Sequence, residues 1–294
     1  MQTTPGVHRL WKNVVEPVLE AARPRRIVEV GAGRGKNTVR LLDYCRREGA
    51  VCEVVDPAPE FDIGPLVEEY ADLCRYHDRL SVDVLGEIPT ADVVLIDGDH
   101  NWFTVFHELE LLGKRAEKDD RPFPIVLLHD VGWPYGRRDL YYAPETIPAA
   151  HRHPHERAGM RPGSTGLVED GGFNRSAENA VTEGGERNGV FTAIEDFLSG
   201  AGAGLQLVVV PGIHGLAVLY SKEAVERKPG LRRTIESFSS SEFLYRQCEL
   251  VEKRRVREAM RASDLRREVK RLRKRVEKLE HVSASGGRGP RAQA

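Results

Sequence analysis

The chain has 294 residues, enough for one large α/β domain with an appendage or for two modest domains. Hydrophobic residues make up 40% and charged residues 30%, which excludes global disorder and a collagen-like repeat. No apolar run approaches the roughly 18 residues of a membrane-spanning helix, the N-terminal segment lacks the apolar core of a signal peptide, and the four cysteines show no CxxC spacing. We therefore expect a cytoplasmic protein with reduced cysteines and no membrane span.

The net charge of −1 conceals two regions of opposite sign. Residues 251–280 contain 13 Lys or Arg and 6 Asp or Glu, whereas residues 1–250 contain 29 basic and 39 acidic groups. The basic segment is a candidate for binding anionic partners. Nucleic acid is disfavoured as the partner, because the acidic body would repel phosphate and charged helix faces are usually just solvated.

Short β-branched runs alternate with helical patterns over the first 220 residues, which is typical of βαβ units and a mostly parallel sheet. The last two runs are joined by the turn sequence PGIHG and predict a hairpin that adds one antiparallel strand at the edge. Seven strands are predicted: Arg26–Val30, Val51–Val55, Leu80–Val84, Asp92–Ile96, Ile125–Leu128, Leu205–Val210 and Leu216–Tyr220.

Residues 132–187 interrupt this rhythm with 9 Gly and 5 Pro and little apolar periodicity. Structureless connections of this length are usually functional or disordered, and the aromatic residues in this one favour a lid over the active site. Its HRHPH run, His151 to His155, is compatible with a metal site, although a solvated loop is the commoner outcome for such a run.

The last segment predicts one long helix from Ser241, with apolar residues at alternating steps of four and three from Leu265 to Leu279. That spacing is a heptad seam, with Val at position a and Leu at position d, and it favours a parallel homodimer over a helix folded back on its own domain. The predicted organisation is a domain at 1–225 containing the lid, a linker at 226–240, a basic helix at 241–281 and a disordered tail at 282–294.

The first predicted strand runs into Glu29-Val30-Gly31-Ala32-Gly33-Arg34-Gly35, where a backbone that must turn tightly against a ligand needs glycine. Lys36 occupies the third fingerprint position of NAD and FAD proteins, and no P-loop follows. The VEVGAGRG motif resembles that of the class I S-adenosylmethionine-dependent methyltransferases. The resemblance implies a Rossmann-like sheet in which Gly31, Gly33 and Gly35 line the methionine end of the cofactor. It further implies that Glu29 lies near the cofactor's amino group and that Asp56 binds both ribose hydroxyls.

Two further strands end in acidic residues beside histidine, at Asp97-Gly98-Asp99-His100 and at His129-Asp130. The carboxyl ends of parallel strands meet at one edge of the sheet, where open α/β sheets bind ligands. The spacing is similar to that of the cation-dependent O-methyltransferases of catechol and macrolide-sugar type. The resemblance implies that Asp97 and Asp130 bind Mg²⁺ or another divalent cation and that Asp97 also lies at the cofactor. Val131 stands where those enzymes have a third ligand.

Methyl transfer from a sulfonium needs an aligned acceptor and removal of its proton, so a base is expected. We expect His100 to be that base, with His129 in reserve. Four residues that begin the lid, which can stack on rings or bind acidic groups, form the expected acceptor surface: Trp133, Tyr135, Arg137 and Arg138. The sequence thus predicts an O-methyltransferase for a sugar or another hydroxylated small molecule. The alternatives are a cofactor-binding scaffold that recruits partners through its basic helix and, less favoured, a nucleic-acid methyltransferase.

Overall fold

The computed structural model describes residues 6–226 and 228–286, and the chain forms two compact units with the boundary after Leu244. The α-helices are α1 (Glu16–Ala22), α2 (Lys36–Glu48), α3 (Gly64–Glu69), α4 (Ser81–Val84), α5 (Trp102–Lys118), α6 (Val190–Ser199), α7 (Lys222–Glu226), α8 (Pro229–Ser237) and α9 (Ser241–Gly286). The strands are β1 (Arg26–Val30), β2 (Val51–Val55), β3 (Cys74–His77), β4 (Val93–Ile96), β5 (Ile125–His129), β6 (Leu140–Tyr141), β7 (His155–Arg157), β8 (Glu178–Ala180), β9 (Gln206–Val210) and β10 (Leu216–Tyr220).

Seven strands form one sheet in the order β3-β2-β1-β4-β5-β10-β9. The five strands from β3 to β5 are parallel, and β10 runs antiparallel to both of its neighbours. The predicted Rossmann-like α/β fold is confirmed, with the antiparallel strand one position inside the edge. Strand order reverses between β1 and β4, so a crevice opens at the carboxyl ends of these strands.

Both faces of the sheet are covered by helices, which is why its central strands are continuous apolar runs. One apolar core packs α1, α2 and α8 against the sheet, and a second packs α5 and α6 against the other face. Helix α5 begins at the N-cap Asn101, whose side chain accepts a hydrogen bond from the Thr104 amide at 2.8 Å. Because this cap begins the helix directly after His100, it fixes the position of the His100 backbone near the carboxyl end of β4.

The third strand lies earlier than predicted. Residues Ser81–Val84 form helix α4, and the strand that pairs with β2 is Cys74–His77. This edge strand is short and carries two half-buried aromatic rings in place of a β-branched run, so periodicity favoured the more apolar segment after it.

The insertion at 132–187 is ordered by a small antiparallel sheet, β6-β8-β7, and by two 3-10 turns, Pro144–Thr146 and Ala149–His151. Its three HRHPH histidines face different partners. His151 stacks on Trp102 of α5, His153 Nε2 lies 2.9 Å from the Arg187 carbonyl, and His155 pairs with Glu178. These contacts serve the insertion's own packing.

In the C-terminal region the structure places helix α8 within the segment predicted as a linker, where Leu231 and Ile235 are buried. Helix α9 begins at the predicted residue, Ser241, and continues to Gly286. The rest of the predicted tail, 287–294, lies outside the described residues. None of the helices in the described ranges combines the length and apolar character needed to cross a bilayer.

Candidate active site

A cleft opens where β1 ends and α2 begins, and Gly31 and Gly33 lie in its wall. Both have positive φ, 87° and 51°. A Cβ at Gly31 would lie 2.5 Å from the carbonyl oxygen of Asp97, so the β1 and β4 ends can approach only through glycine. A Cβ at Gly33 would meet nothing within 4 Å, which leaves open space beside the loop.

Gly35 and Glu29 belong to the segment of the glycine loop but do not line the cleft. Gly35 is the left-handed N-cap of α2, and a Cβ there would lie 2.9 Å from the ring of Phe61. Glu29 is buried and accepts a hydrogen bond from Asn37 Nδ2 at 3.0 Å, while its Oε2 has no hydrogen-bond partner. Burial raises the pKa of Glu29 to about 7.

Asp56 follows β2 and holds the loop through its backbone. Its Oδ2 accepts hydrogen bonds from the Ala32 and Gly33 amides at 2.8 and 3.1 Å, and its Oδ1 accepts from Ala58. The sequence analysis assigned this carboxylate to a ligand hydroxyl and did not foresee its support of the loop. Because each carboxylate oxygen has more than one lone pair, these bonds leave acceptor capacity for a ligand.

The ends of β4 and β5 bring Asp97, His100, His129 and Asp130 into one cluster, as the sequence predicted. His129 Nδ1 lies 2.9 Å from both Asp97 Oδ1 and Asp130 Oδ2, and His100 Nε2 lies 2.7 Å from Asp130 Oδ2. Asp130 has a φ of 61°, a left-handed conformation that costs a non-glycine residue free energy and turns its carboxylate back toward the cluster.

His129 has no lone pair available for catalysis in this arrangement. Its Nδ1 faces two carboxylates and its Nε2 lies 2.9 Å from the Ile213 carbonyl, so only acceptors surround the ring and both nitrogens must donate. Burial alone would lower the pKa of His129, but Asp130 and Asp97 outweigh it and raise the pKa well above its usual value. The buried, protonated ring therefore places a positive charge between the carboxylates of Asp97 and Asp130. This geometry does not agree with the role of reserve base that was predicted for His129.

His100 differs from His129 in keeping one nitrogen free. Its Nδ1 is buried without a hydrogen-bond partner among the described residues, while Nε2 donates to Asp130. Burial would lower the pKa of His100, yet Asp130 and Asp97 raise it to about 10. The same histidines lower the pKa of Asp97 to about 2 against the effect of its burial.

The four residues predicted as an acceptor surface lie outside the cleft wall. Arg138 is fully buried, and its guanidinium donates to the Ala180 carbonyl and to the Thr165 carbonyl at 2.6 Å. Tyr135 is also fully buried, and its hydroxyl donates to Asn179 at 3.1 Å. Arg137 pairs with Glu195 of α6, and Trp133 packs on Phe173. These side chains stabilise the insertion because its glycine-rich backbone offers few apolar contacts of its own.

Two other residues of the insertion do line the cleft, Tyr142 and Asn174. Tyr142 is 52% exposed, and its ring lies edge-on to His100 with centroids 5.8 Å apart. Its neighbour Tyr141 is buried in β6. In a strand, neighbouring side chains point to opposite faces, so one tyrosine of this pair is expected to be buried and the other exposed. The strand has only two residues, so the sequence pattern does not show which of the two is buried.

The N-terminal segment also lines the cleft, through Gly6, His8 and Arg9. The Val7 amide donates to Asp97 Oδ2 at 2.9 Å, and Arg40 donates to the His8 carbonyl at 2.8 Å. Burial and the nearby cations of Lys36 and Arg9 lower the pKa of His8 to about 4. The sequence analysis missed these residues because the segment carries no motif.

Residues 28–131 match a family model described as a methyltransferase domain. Among solved structures, the chain is similar to the SAH-bound methyltransferase PaMTH1 of Podospora anserina, with 14% identity and a TM-score of 0.43 over 70% of this chain and 76% of that one. It is also similar to the 1,6-didemethyltoxoflavin-N1-methyltransferase of Burkholderia thailandensis, with 17% identity and a TM-score of 0.36 over 72% and 80%. No match is found among curated proteins.

The family match covers the glycine loop and the acidic ends of β4 and β5, which line the cleft, and also Asp56, which supports the loop. It ends at Val131, directly before the insertion. The cleft residues contributed by β1, β4 and β5 therefore lie within a segment that matches a methyltransferase domain.

Proposed function

We propose that the protein transfers the methyl group of S-adenosylmethionine to a hydroxyl oxygen of a sugar or another hydroxylated small molecule in the cytoplasm. The observation that carries this proposal is a single cleft with the glycine loop at one end and the pair His100 and Asp130, faced by Tyr142, at the other. Four free cysteines agree with a reducing compartment.

His100 is proposed as the general base. Asp130 accepts the Nε2 hydrogen and so fixes the tautomer, which leaves the Nδ1 lone pair of the neutral ring to take the acceptor's proton. His100 would take the proton as a neutral ring, and a positive charge such as the sulfonium of a bound cofactor would lower its pKa by opposing protonation.

The carboxylates also suit a divalent cation. Asp97, His100 and Asp130 each offer one ligand atom, all within 4.8 Å of one another, and Asp130 Oδ1 is buried without a partner. An imidazole beside two carboxylates shifts preference from Mg²⁺ toward softer ions. When bound, such a cation would lower the pKa of an acceptor hydroxyl. His129 already supplies one positive charge to the same carboxylates, so we expect chelation to reduce activity without abolishing it.

The test is transfer of labelled methyl from S-adenosylmethionine to a panel of sugars and phenols, with and without chelator. We expect His100→Ala to lower turnover about 10²- to 10⁴-fold while S-adenosylhomocysteine binding, measured by titration calorimetry, stays within twofold. Full turnover in His100→Ala would remove the proposed base. Failure of the wild-type protein to bind the cofactor would defeat the whole proposal.

We further propose that helix α9 joins two copies of the chain. Five apolar residues of its heptad seam are 46% to 66% exposed: Leu265, Val269, Leu272, Val276 and Leu279. β-Branched residues at a with Leu at d favour a parallel pair. In a parallel pair, Glu268 and Arg275 at g face Arg273 and Glu280 at e of the second copy, and both contacts are attractive.

Arg273 distinguishes the two orientations of such a dimer. In an antiparallel pair that places a opposite d, Arg273 faces Arg266 of the second copy, and reversing its charge would strengthen the dimer. In the parallel pair Arg273→Glu instead opposes Glu268 and should weaken the dimer about tenfold in sedimentation equilibrium. Lys274→Glu, which reverses a charge at the outward f position, is the matched control. A wild-type monomer at all concentrations would contradict the association.

The second candidate function is recruitment of an anionic partner through the basic face of α9. Residues 251–280 carry a charge surplus of +7. Deleting 245–294 separates the two functions: an enzyme with an assembly helix retains turnover per site, whereas a scaffold loses its partner.

A further inference from the structure

Three basic side chains border the cleft beside the glycine loop, and the mechanism above uses none of them. His8 and Arg9 come from the N-terminal segment, and Lys36 is the first residue of α2. Gly31 and Asp97 line the same part of the cleft. Arg34 also borders the cleft, but it is paired with Glu60 at 2.8 Å.

Arg9 and Lys36 line the cleft without a carboxylate partner in the part of the chain that the structure describes. Within residues 6–226 and 228–286, neither side chain forms an ion pair with a carboxylate. Arg40 adds a third cation and at the same time fixes the segment by donating to the His8 carbonyl. A cleft wall with unneutralised cations, one of them in the first turn of a helix, attracts an anion.

The Asp97 carboxylate lies close to His8. A Cβ added at Gly6 would lie 2.7 Å from Asp97 Oδ2 and 3.4 Å from His8 Nδ1, so these two atoms are no farther apart than the two distances combined. The two carboxylate oxygens of Asp97 have different hydrogen-bond partners. Oδ1 accepts from His129, whereas Oδ2 faces the N-terminal segment and accepts the Val7 amide. Oδ2 retains a lone pair for a second donor.

A group that fits such a wall carries a carboxylate and an ammonium on neighbouring atoms. We propose that Arg9, Lys36 and His8 bind the carboxylate of the cofactor's amino-acid moiety and that Asp97 Oδ2 binds its ammonium. This inference rests on the proposed use of S-adenosylmethionine. It assigns to the N-terminal segment, which lies outside the matched residues 28–131, the recognition of the zwitterionic end of the ligand.

The test compares two ligands that differ only at that end. S-Adenosylhomocysteine has the amino-acid moiety, and 5′-methylthioadenosine has a methyl group in its place. Titration calorimetry on the full chain should show that Arg9→Gln and Lys36→Gln each weaken S-adenosylhomocysteine about five- to tenfold and change 5′-methylthioadenosine less than twofold. Arg34→Gln removes a cation of the same cleft that is already paired with Glu60, and it is the matched control. It should not alter the ratio of the two affinities.

The outcomes separate this inference from the proposed function. Equal weakening of both ligands in Arg9→Gln and Lys36→Gln would overturn it, because the cations would then act on the loop and not on the carboxylate. Unchanged S-adenosylhomocysteine binding in both variants would also overturn it. The two cations would then be available to bind an acidic methyl acceptor. Absence of wild-type binding to both ligands would instead overturn the use of the cofactor.

Discussion

The sheet and the insertion at 132–187 are stabilised in different ways. The sheet buries mainly apolar side chains on both faces, with a few buried polar residues such as Glu29 and Glu53 among them. The insertion has a small apolar cluster and relies on buried polar residues, among them Arg138, Asp139 and Asn179. Apolar burial tolerates many substitutions of similar size, whereas a buried polar network depends on the position of each donor and acceptor.

The strongest test of this difference is Asp139→Ala. The Asp139 carboxylate accepts hydrogen bonds from the Trp102 and Gly189 amides at 2.8 and 2.7 Å and from the Tyr141 hydroxyl at 2.8 Å. Removing it leaves three buried donors unpaired, so we expect a loss of about 4 kcal/mol in the free energy of unfolding and rapid proteolysis within the insertion. Asp170→Ala, at an exposed aspartate of the same insertion, should change neither measurement.

The corresponding test of the sheet is Leu127→Ala. Leu127 is fully buried in β5, and its truncation should cost about 3 kcal/mol by leaving a cavity. Chemical unfolding should show one transition shifted as a whole, without selective cleavage of the insertion. Selective cleavage in this variant would mean that the two regions do not differ as described.

A smaller effect is expected at Tyr142, where the insertion meets the cleft. Tyr142→Ala should raise the KM for the acceptor about tenfold, because the ring that stacks on it is lost, and should leave the unfolding free energy unchanged since the side chain is half exposed. Tyr142→Phe should retain the wild-type KM. If Tyr142→Phe raised the KM as much as Tyr142→Ala, the effect would have to be assigned to the hydroxyl group and not to the ring.

A pH-dependent effect is expected at Glu108, a buried carboxyl of α5. Glu108 accepts a hydrogen bond from Ser81 at 2.5 Å, and burial raises its pKa from 4.5 to about 8. The folded state binds this proton more tightly than the unfolded state, so the contribution to stability is full below pH 4.5 and is lost as the pH rises to about 8. Glu108→Gln should be up to about 4 kcal/mol more stable than the wild type at pH 8 and nearly equal to it near pH 4.5. A constant difference across this range, measured by urea unfolding, would contradict the assignment.

The sheet and the acidic strand ends could be predicted because their signals are local. β-Branched runs mark β1, β2, β4 and β5, and the residues after a parallel strand must lie at its carboxyl edge. The positions of Asp97, His100, His129 and Asp130 follow from that rule alone.

The remaining features depend on contacts that composition does not encode. Arg138 and Tyr135 resemble surface residues in a glycine-rich loop, but the fold buries both of them. The β3 strand is too short and too polar to stand out from the chain around it. His8 lies at the cleft because the Val7 amide binds a carboxylate 90 residues later in the chain, and no local pattern reports such a pairing.

The hydrogen bond from the Val7 amide to Asp97 has a practical consequence for the preparation of this protein. Gly6 lies directly against Asp97, and even one added carbon there would crowd the carboxylate oxygen. An affinity tag or fusion partner placed ahead of this glycine would join the chain within a few residues of the cleft. Ligand affinities measured on such a preparation should be compared with those of protein from which the added segment has been cleaved.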